Sequence, residues 1–204
     1  MEKDEFGKNY WHAVVMLAKS KEILEFIFDE TQKIISSSCP LKDFLLAKRV
    51  KNTRENALMM AIHSRRRENF LFMFNDIYSR MFSNYDFMFQ TNQSRQTILH
   101  IIARDGFDET ECITELTTNF RNNVQIQTHH KLDRLIEFIE KDVKPKLDSQ
   151  NIAKIFLMKD NHRRHFLHVA AMCVGNHDSI KNLLATIETC ITSKKLRELF
   201  MARD

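Results

Sequence analysis

A chain of 204 residues with 43% hydrophobic and 28% charged residues can bury a sizeable core and lacks the composition of a disordered protein. Three glycines and two prolines are too few for the turns of a β-sandwich or an α/β fold, while 16 Phe and 10 Met can fill a helical core, so the chain reads as all-α. A net charge of +4 is too slight to mark a nucleic-acid binder by itself, and no window reaches the roughly 18 consecutive apolar residues of a membrane span.

A short unit recurs along the chain. Asn9-Tyr10-Trp11-His12-Ala13-Val14-Val15 opens a first helix, and an apolar-periodic stretch from 21 to about 35 follows, with Ile23, Leu24, Phe26, Ile27 and Ile34 on one broad side. Ser36-Ser37-Ser38-Cys39-Pro40 is a loop, because serine runs and proline break regular structure. Leu45 and Leu46 resume the apolar pattern at once, so the loop is not read as a domain boundary.

The unit returns as Asn56-Ala57-Leu58-Met59-Met60-Ala61-Ile62, with a second helix expected over 68–82 on Phe70, Leu71, Phe74, Ile77, Tyr78 and Met81. It returns again as Thr97-Ile98-Leu99-His100-Ile101-Ile102-Ala103, and a helix over 108–120 opens with acids suited to a helix N-terminus. An amphipathic helix over 132–143 stops before Pro145. The cleanest copy is His165-Phe166-Leu167-His168-Val169-Ala170-Ala171, after which Asp178-Ser179 cap a helix carrying Ile180, Leu183, Leu184 and Ile187. The final stretch, Leu199-Phe200-Met201-Ala202-Arg203-Asp204, mirrors the lead-in Phe156-Leu157-Met158-Lys159-Asp160. The chain is therefore expected to be a fragment of a longer protein, truncated at the start of a further unit.

Thr97 to Ala103 and His165 to Ala171 resemble the T-P-L-H-x-A signature of ankyrin repeats, and the copies at Asn9 and Asn56 match it less closely. First positions lie 47, 41 and 68 residues apart, against about 33 in that family; the longest gap has room for a divergent copy with a seam near 130–136. Gly7, two residues before Asn9, falls where the family places its loop glycine, and Gly106 and Gly175 fall between the two helices of a repeat. The resemblance implies a single domain over residues 1–204. Its architecture would be an ankyrin-like helical-repeat solenoid of about four to five helix-pair units with long inter-repeat loops. It also implies that His12, His100 and His168 are hydrogen-bonding core residues, and that Ala103, Ala170 and Ala171 allow close helix packing.

The family implies a non-catalytic scaffold, adaptor or inhibitor that binds a partner protein or peptide on a concave surface. One departure from the pattern carries charge: Arg54, Arg95 and Arg163 stand two residues before the first position, where the family keeps a glycine. Joined by Lys51, Arg66 and Arg164, they would form a basic ladder able to fork the carboxylates of an acidic segment. The competing reading makes them solvated loop charges with partners such as Glu55 or Asp160. The alternative function is a basic solenoid that binds nucleic acid or a nucleic-acid complex through those arginines and Arg65-Arg66-Arg67.

His162, His165, His168 and Cys173 are zinc-ligand types, but no second pair follows at finger spacing, and His129-His130 sits in a polar loop. Nucleophile elbows and phosphate loops are absent, so no enzymatic activity, cofactor, metal, small-molecule substrate or membrane partner is expected. Cys39, Cys112, Cys173 and Cys190 form no C-x-x-C pair, and Met1-Glu2-Lys3-Asp4-Glu5 has no signal-peptide core. The expected setting is intracellular, cytoplasmic or nuclear, with reduced thiols.

Overall fold

The computed structural model describes residues 9–34, 41–48, 53–64, 66–82, 84–106, 132–173 and 177–201. Among these the regular structure is entirely helical, with no strand, as composition demanded. The expected helix over 108–120, loop 36–40, Gly7, Gly175, Cys39, Cys112 and the pair His129-His130 lie outside the described residues. The chain falls into two compact units, Met1–Ser94 and Arg95–Asp204. No helix among the described residues is long and apolar enough to cross a membrane.

The first unit opens with α1 (Tyr10–Leu17) and α2 (Lys21–Ile34), then α3 (Leu41–Leu46) and α4 (Ala57–His63). A long helix follows, built from α5 (Arg67–Phe72), a π turn (Met73–Tyr78) and α6 (Ser79–Met81), and a 3-10 turn (Asp86–Phe89) comes after it. Two helix starts are set by asparagine. The Asn9 side chain accepts from His12 N at 3.1 Å and the Asn56 side chain from Met59 N at 2.9 Å, each satisfying an amide that the helix leaves without a partner. Helix α1 packs on α4, and α4 on α5.

Trp11, Val15, Leu58, Met59, Phe70, Phe74, Tyr78 and Phe87 are buried at the centre of this unit. Phe87 meets Phe74 edge-on at 5.5 Å, and the Tyr78 hydroxyl donates to the carbonyl of Leu45. Truncating one such ring to alanine costs roughly 3–5 kcal/mol, so this cluster dominates the stability of the unit. Buried Asn69 donates through Nδ2 to the Ala18 carbonyl at 2.9 Å, tying α5 to the end of α1.

The face of α2 departs from expectation. Leu24 and Phe28, one helical turn apart, point inward, whereas Ile23, Phe26 and Ile34 are exposed. The sequence carries two apolar sides on this helix, and packing uses only one.

The second unit contains α7 (Ile98–Asp105), α8 (132–138) running into a π turn (Ile139–Val143), α9 (Ser149–Phe156), α10 (Phe166–Cys173), α11 (His177–Cys190) and α12 (Ser193–Met201). Helix α7 packs on α10, and Phe156 meets Phe166 at 4.9 Å. Gly106 ends α7 at φ 65°, a conformation that a Cβ disfavours, which accounts for glycine at this turn. One helix boundary and one whole helix differ from the sequence reading. Asp178 and Ser179 lie inside the first turn of α11, not ahead of it. Helix α9 was not anticipated; Asp148 caps it by accepting from Asn151 N at 2.8 Å, and Ile152, Ala153, Ile155 and Phe156 bury its inner face.

Candidate functional site

The turns that precede α4, α7 and α10 share one backbone feature. Arg54, Arg95 and Arg163 have φ of 51°, 56° and 59°, the left-handed region where glycine is at ease and a side chain costs energy. The one other described non-glycine residue there is Tyr85. All three arginines are exposed, and among the described residues none has a hydrogen bond or ion pair to its guanidinium. Each stands two positions before the residue that opens the next helix.

In the first unit the Arg54 turn is held by its neighbours. The Thr53 carbonyl accepts from Gln93 N at 2.8 Å, and the Glu55 carbonyl accepts from His12 Nε2 at 3.0 Å. Glu55 is buried; burial would raise its pKa, but hydrogen bonds from His63, Thr53 and Asn92, with the charge of His63, hold it below the usual carboxylate value. Its carboxylate is therefore committed to the fold and not to Arg54. Beside this turn, Lys48 donates to the Thr91 carbonyl at 2.6 Å; burial and the charge of Arg54 lower its pKa.

In the second unit the turn before α10 is more tightly built. Asp160 N donates to the Arg164 carbonyl at 2.9 Å, and Arg163 N to the Asp160 carbonyl at 3.0 Å. The Asp160 carboxylate accepts from His162 N, Arg164 N and the Arg164 guanidinium, at 2.8 to 3.0 Å. Burial opposes its ionisation, but these donors outweigh that effect and lower its pKa. Arg95 occupies the corresponding place ahead of α7, and α7 and α10 pack together, so the two arginines extend from matching ends of neighbouring helices. Buried Gln96, next to Arg95, accepts from Arg104 at 2.9 Å.

Three of the six expected binding residues thus behave as presented cations. Arg164 does not: its guanidinium binds the buried Asp160 at 2.8 Å and locks the turn, so it is a positioning residue for Arg163. Arg66 is the half-buried N-cap residue of α5. It is separated from Arg54 by the whole of α4, about 10 Å at 1.5 Å per residue, and does not join the turn. Lys51 and Arg65 lie outside the described residues.

The motif histidines divide. His12 and His100 are fully buried. Each accepts through Nδ1 from the backbone N–H of its helix-opening residue, at 3.0 and 3.3 Å. Each donates through Nε2 to a carbonyl of a later turn, Glu55 for His12 and Arg164 for His100, both at 3.0 Å. That arrangement fixes one neutral tautomer, and burial lowers the pKa of His100. His168 departs from expectation: Nδ1 still accepts from His165 N at 3.3 Å, but the residue is exposed. His165 is instead the buried one, and neither ring nitrogen has a hydrogen-bond partner among the described residues. His162, His165, His168 and Cys173 belong to no metal-binding group of three or more ligand residues among the described residues. Cys173 and Cys190 are in no disulfide among the described residues.

Comparison of the chain with family models, with curated proteins and with solved structures returned no match.

Proposed function

We propose that this chain is a non-catalytic, ankyrin-like repeat module that binds a partner protein through its arginine turns, with an acidic segment as the ligand. The observation that carries the reading is the left-handed backbone shared by Arg54, Arg95 and Arg163. Each arginine stands where that family keeps a glycine, and each adopts the conformation for which glycine is kept. A residue that strains its backbone, projects into solvent and has no hydrogen bond or ion pair among the described residues is one whose side chain is open to something outside the fold. Planar guanidinium groups suit carboxylates, which they can bind by two parallel hydrogen bonds. The alternation of buried histidines bridging to the next turn supports the ankyrin likeness, because each bridge joins one helix pair to its successor.

The test is binding of a fluorescent Glu/Asp-rich peptide to the whole chain and to a variant carrying Arg54→Glu, Arg95→Glu and Arg163→Glu. The reading expects the triple variant to stay folded and to lose at least about tenfold in affinity, because charge-assisted pairs at three sites are removed. Unchanged affinity would overturn it. A labelled oligonucleotide in parallel separates the alternative: tighter binding than to the peptide, with a steep loss as salt rises, would point to nucleic acid.

A further inference from the structure

Two helix faces, one in each unit, carry exposed apolar side chains. On α2 the unused apolar side carries Ile23, Phe26 and Ile34, of which Phe26 is 66% and Ile34 78% exposed. The 3.6-residue period places these three on one stripe, with Glu30 between them and Glu22, Glu25 and Asp29 along its edge. Helix α2 holds four acids against Lys21 and Lys33. Lys33 is taken by Glu30 at 2.6 Å, and Lys21 lies over the Phe72 ring at 5.5 Å. Glu25 and Asp29 make no ion pair among the described residues.

On α12 the opposite combination occurs. Phe200 is 55% and Met201 70% exposed, and Leu196 is half-buried beside them. Lys194 and Arg197 lie on this exposed side and are without ion pairs among the described residues, whereas Lys195 is paired with Glu198 at 2.7 Å. One apolar stripe is therefore edged chiefly by carboxylates outside ion pairs, with the charge of Lys33 acting on Asp29, and the other by cations outside ion pairs.

We infer that the α2 face of one molecule docks on the α12 face of a second copy of this chain, the apolar side chains stacking and Glu25 and Asp29 meeting Lys194 and Arg197. Each face is matched in sign by the other and would repel its own kind, so the contact is heterologous and not two-fold symmetric. A heterologous contact that does not close can add a third copy to the second. Charges at its edge orient the encounter, and the apolar stripe holds it. The proposal is independent of the arginine turns, none of which takes part.

Sedimentation of the 204-residue chain from about 1 to about 100 μM tests this, because self-association depends on concentration. The expected result is a mass that rises above 24.3 kDa and passes beyond twice that value. Phe26→Glu and Phe200→Glu are both at exposed positions. Each alone should weaken association at least about tenfold, as loss of a central aromatic anchor does. Mixed one to one, each variant still offers one intact face, so the pair should form a dimer and grow no further. If either substitution perturbs folding, Glu25→Lys and Arg197→Glu provide the second test: each alone weakens association, and both in one chain restore it. A chain that stays monomeric throughout, variants that associate like the parent, or a mixture that forms no dimer would each overturn the proposal.

Discussion

Helices α7 and α10 share the Leu-His pair of the recurring unit, in Thr97-Ile98-Leu99-His100 and His165-Phe166-Leu167-His168, and both opening residues are buried, yet their motif histidines have opposite fates. In α7 the Thr97 hydroxyl lies 2.9 Å from His100 Nδ1 and the histidine is sealed in the core, reaching the Arg164 carbonyl with its other nitrogen. In α10 the opening residue is the buried one and the motif histidine faces water. The lesson is that the histidine of this motif is a core residue only where a later turn supplies a carbonyl for it. The motif specifies the first hydrogen bond, within the turn; the fold supplies the second.

The largest expected effect separates the two histidines directly. His100→Ala removes the hydrogen bonds of a fully buried imidazole and strands the Arg164 carbonyl and Thr97 N–H, and should cost about 2–4 kcal/mol, whereas His168→Ala should cost less than about 0.5 kcal/mol. Denaturant unfolding of both variants checks this, and equal costs would break the comparison.

Next comes acid sensitivity. Burial, with the nearby His168, Lys159 and His100, pushes the pKa of His165 down to about 4, while an unfolded histidine titrates near 6.5. Between those values the unfolded chain takes up the proton and the folded chain resists it. Stability is therefore full above about pH 6.5 and falls as pH drops towards 4, by up to about 2–3 kcal/mol from this residue. Glu55 and Asp160, whose pKa values are lowered, lose their own contributions further into acid. Subtracting the pH–stability curve of His165→Asn from that of the parent isolates the histidine. A flat difference would show that His165 is not held neutral by the fold.

The same variant sharpens the comparison at neutral pH. Asparagine opens α1 and α4 by accepting from the backbone N–H three residues on, so His165→Asn should give α10 the cap it lacks and raise stability by about 1 kcal/mol. The smallest effect is one in which the two helices should agree. Arg95→Gly and Arg163→Gly each relieve a left-handed side chain and should add about 0.5–1 kcal/mol while weakening the acidic peptide. Gain at one site and loss at the other would show that the two turns are not equivalent.

The helix-opening signals were the most legible part of the sequence, because caps and turn glycines act over three or four residues and depend little on distant packing. Asn9, Asn56 and Thr97 open helices as read, whereas the left-handed backbone at Arg54, Arg95 and Arg163 is a feature of the fold that the arginine letters did not announce. Burial was legible only in part. On α2 the apolar letters outnumber the positions that packing uses, so periodicity could not choose between Leu24 with Phe28 and Ile23 with Phe26. Arg164 could not be told from Arg163, because their difference is the direction of one side chain towards Asp160. Helix α9 is legible in principle from Asp148 and the Ile152–Phe156 pattern, but it carries no copy of the recurring unit that marks the other helix starts.

The π turn at Met73–Tyr78 bears on how this chain can change length. A π turn is an α-helix with one residue inserted, and here Phe74, Ile77 and Tyr78 stay buried despite the extra residue. Deleting one residue at its half-buried edge, Asn75 or Asp76, would let the segment relax to an unbroken α-helix with the flanking turns in place. The same deletion in α7 would rotate every later side chain by about 100° and turn Ile101 and Ile102 away from the core. The first unit therefore holds a site where a one-residue loss is absorbed locally, while α7 has no such slack.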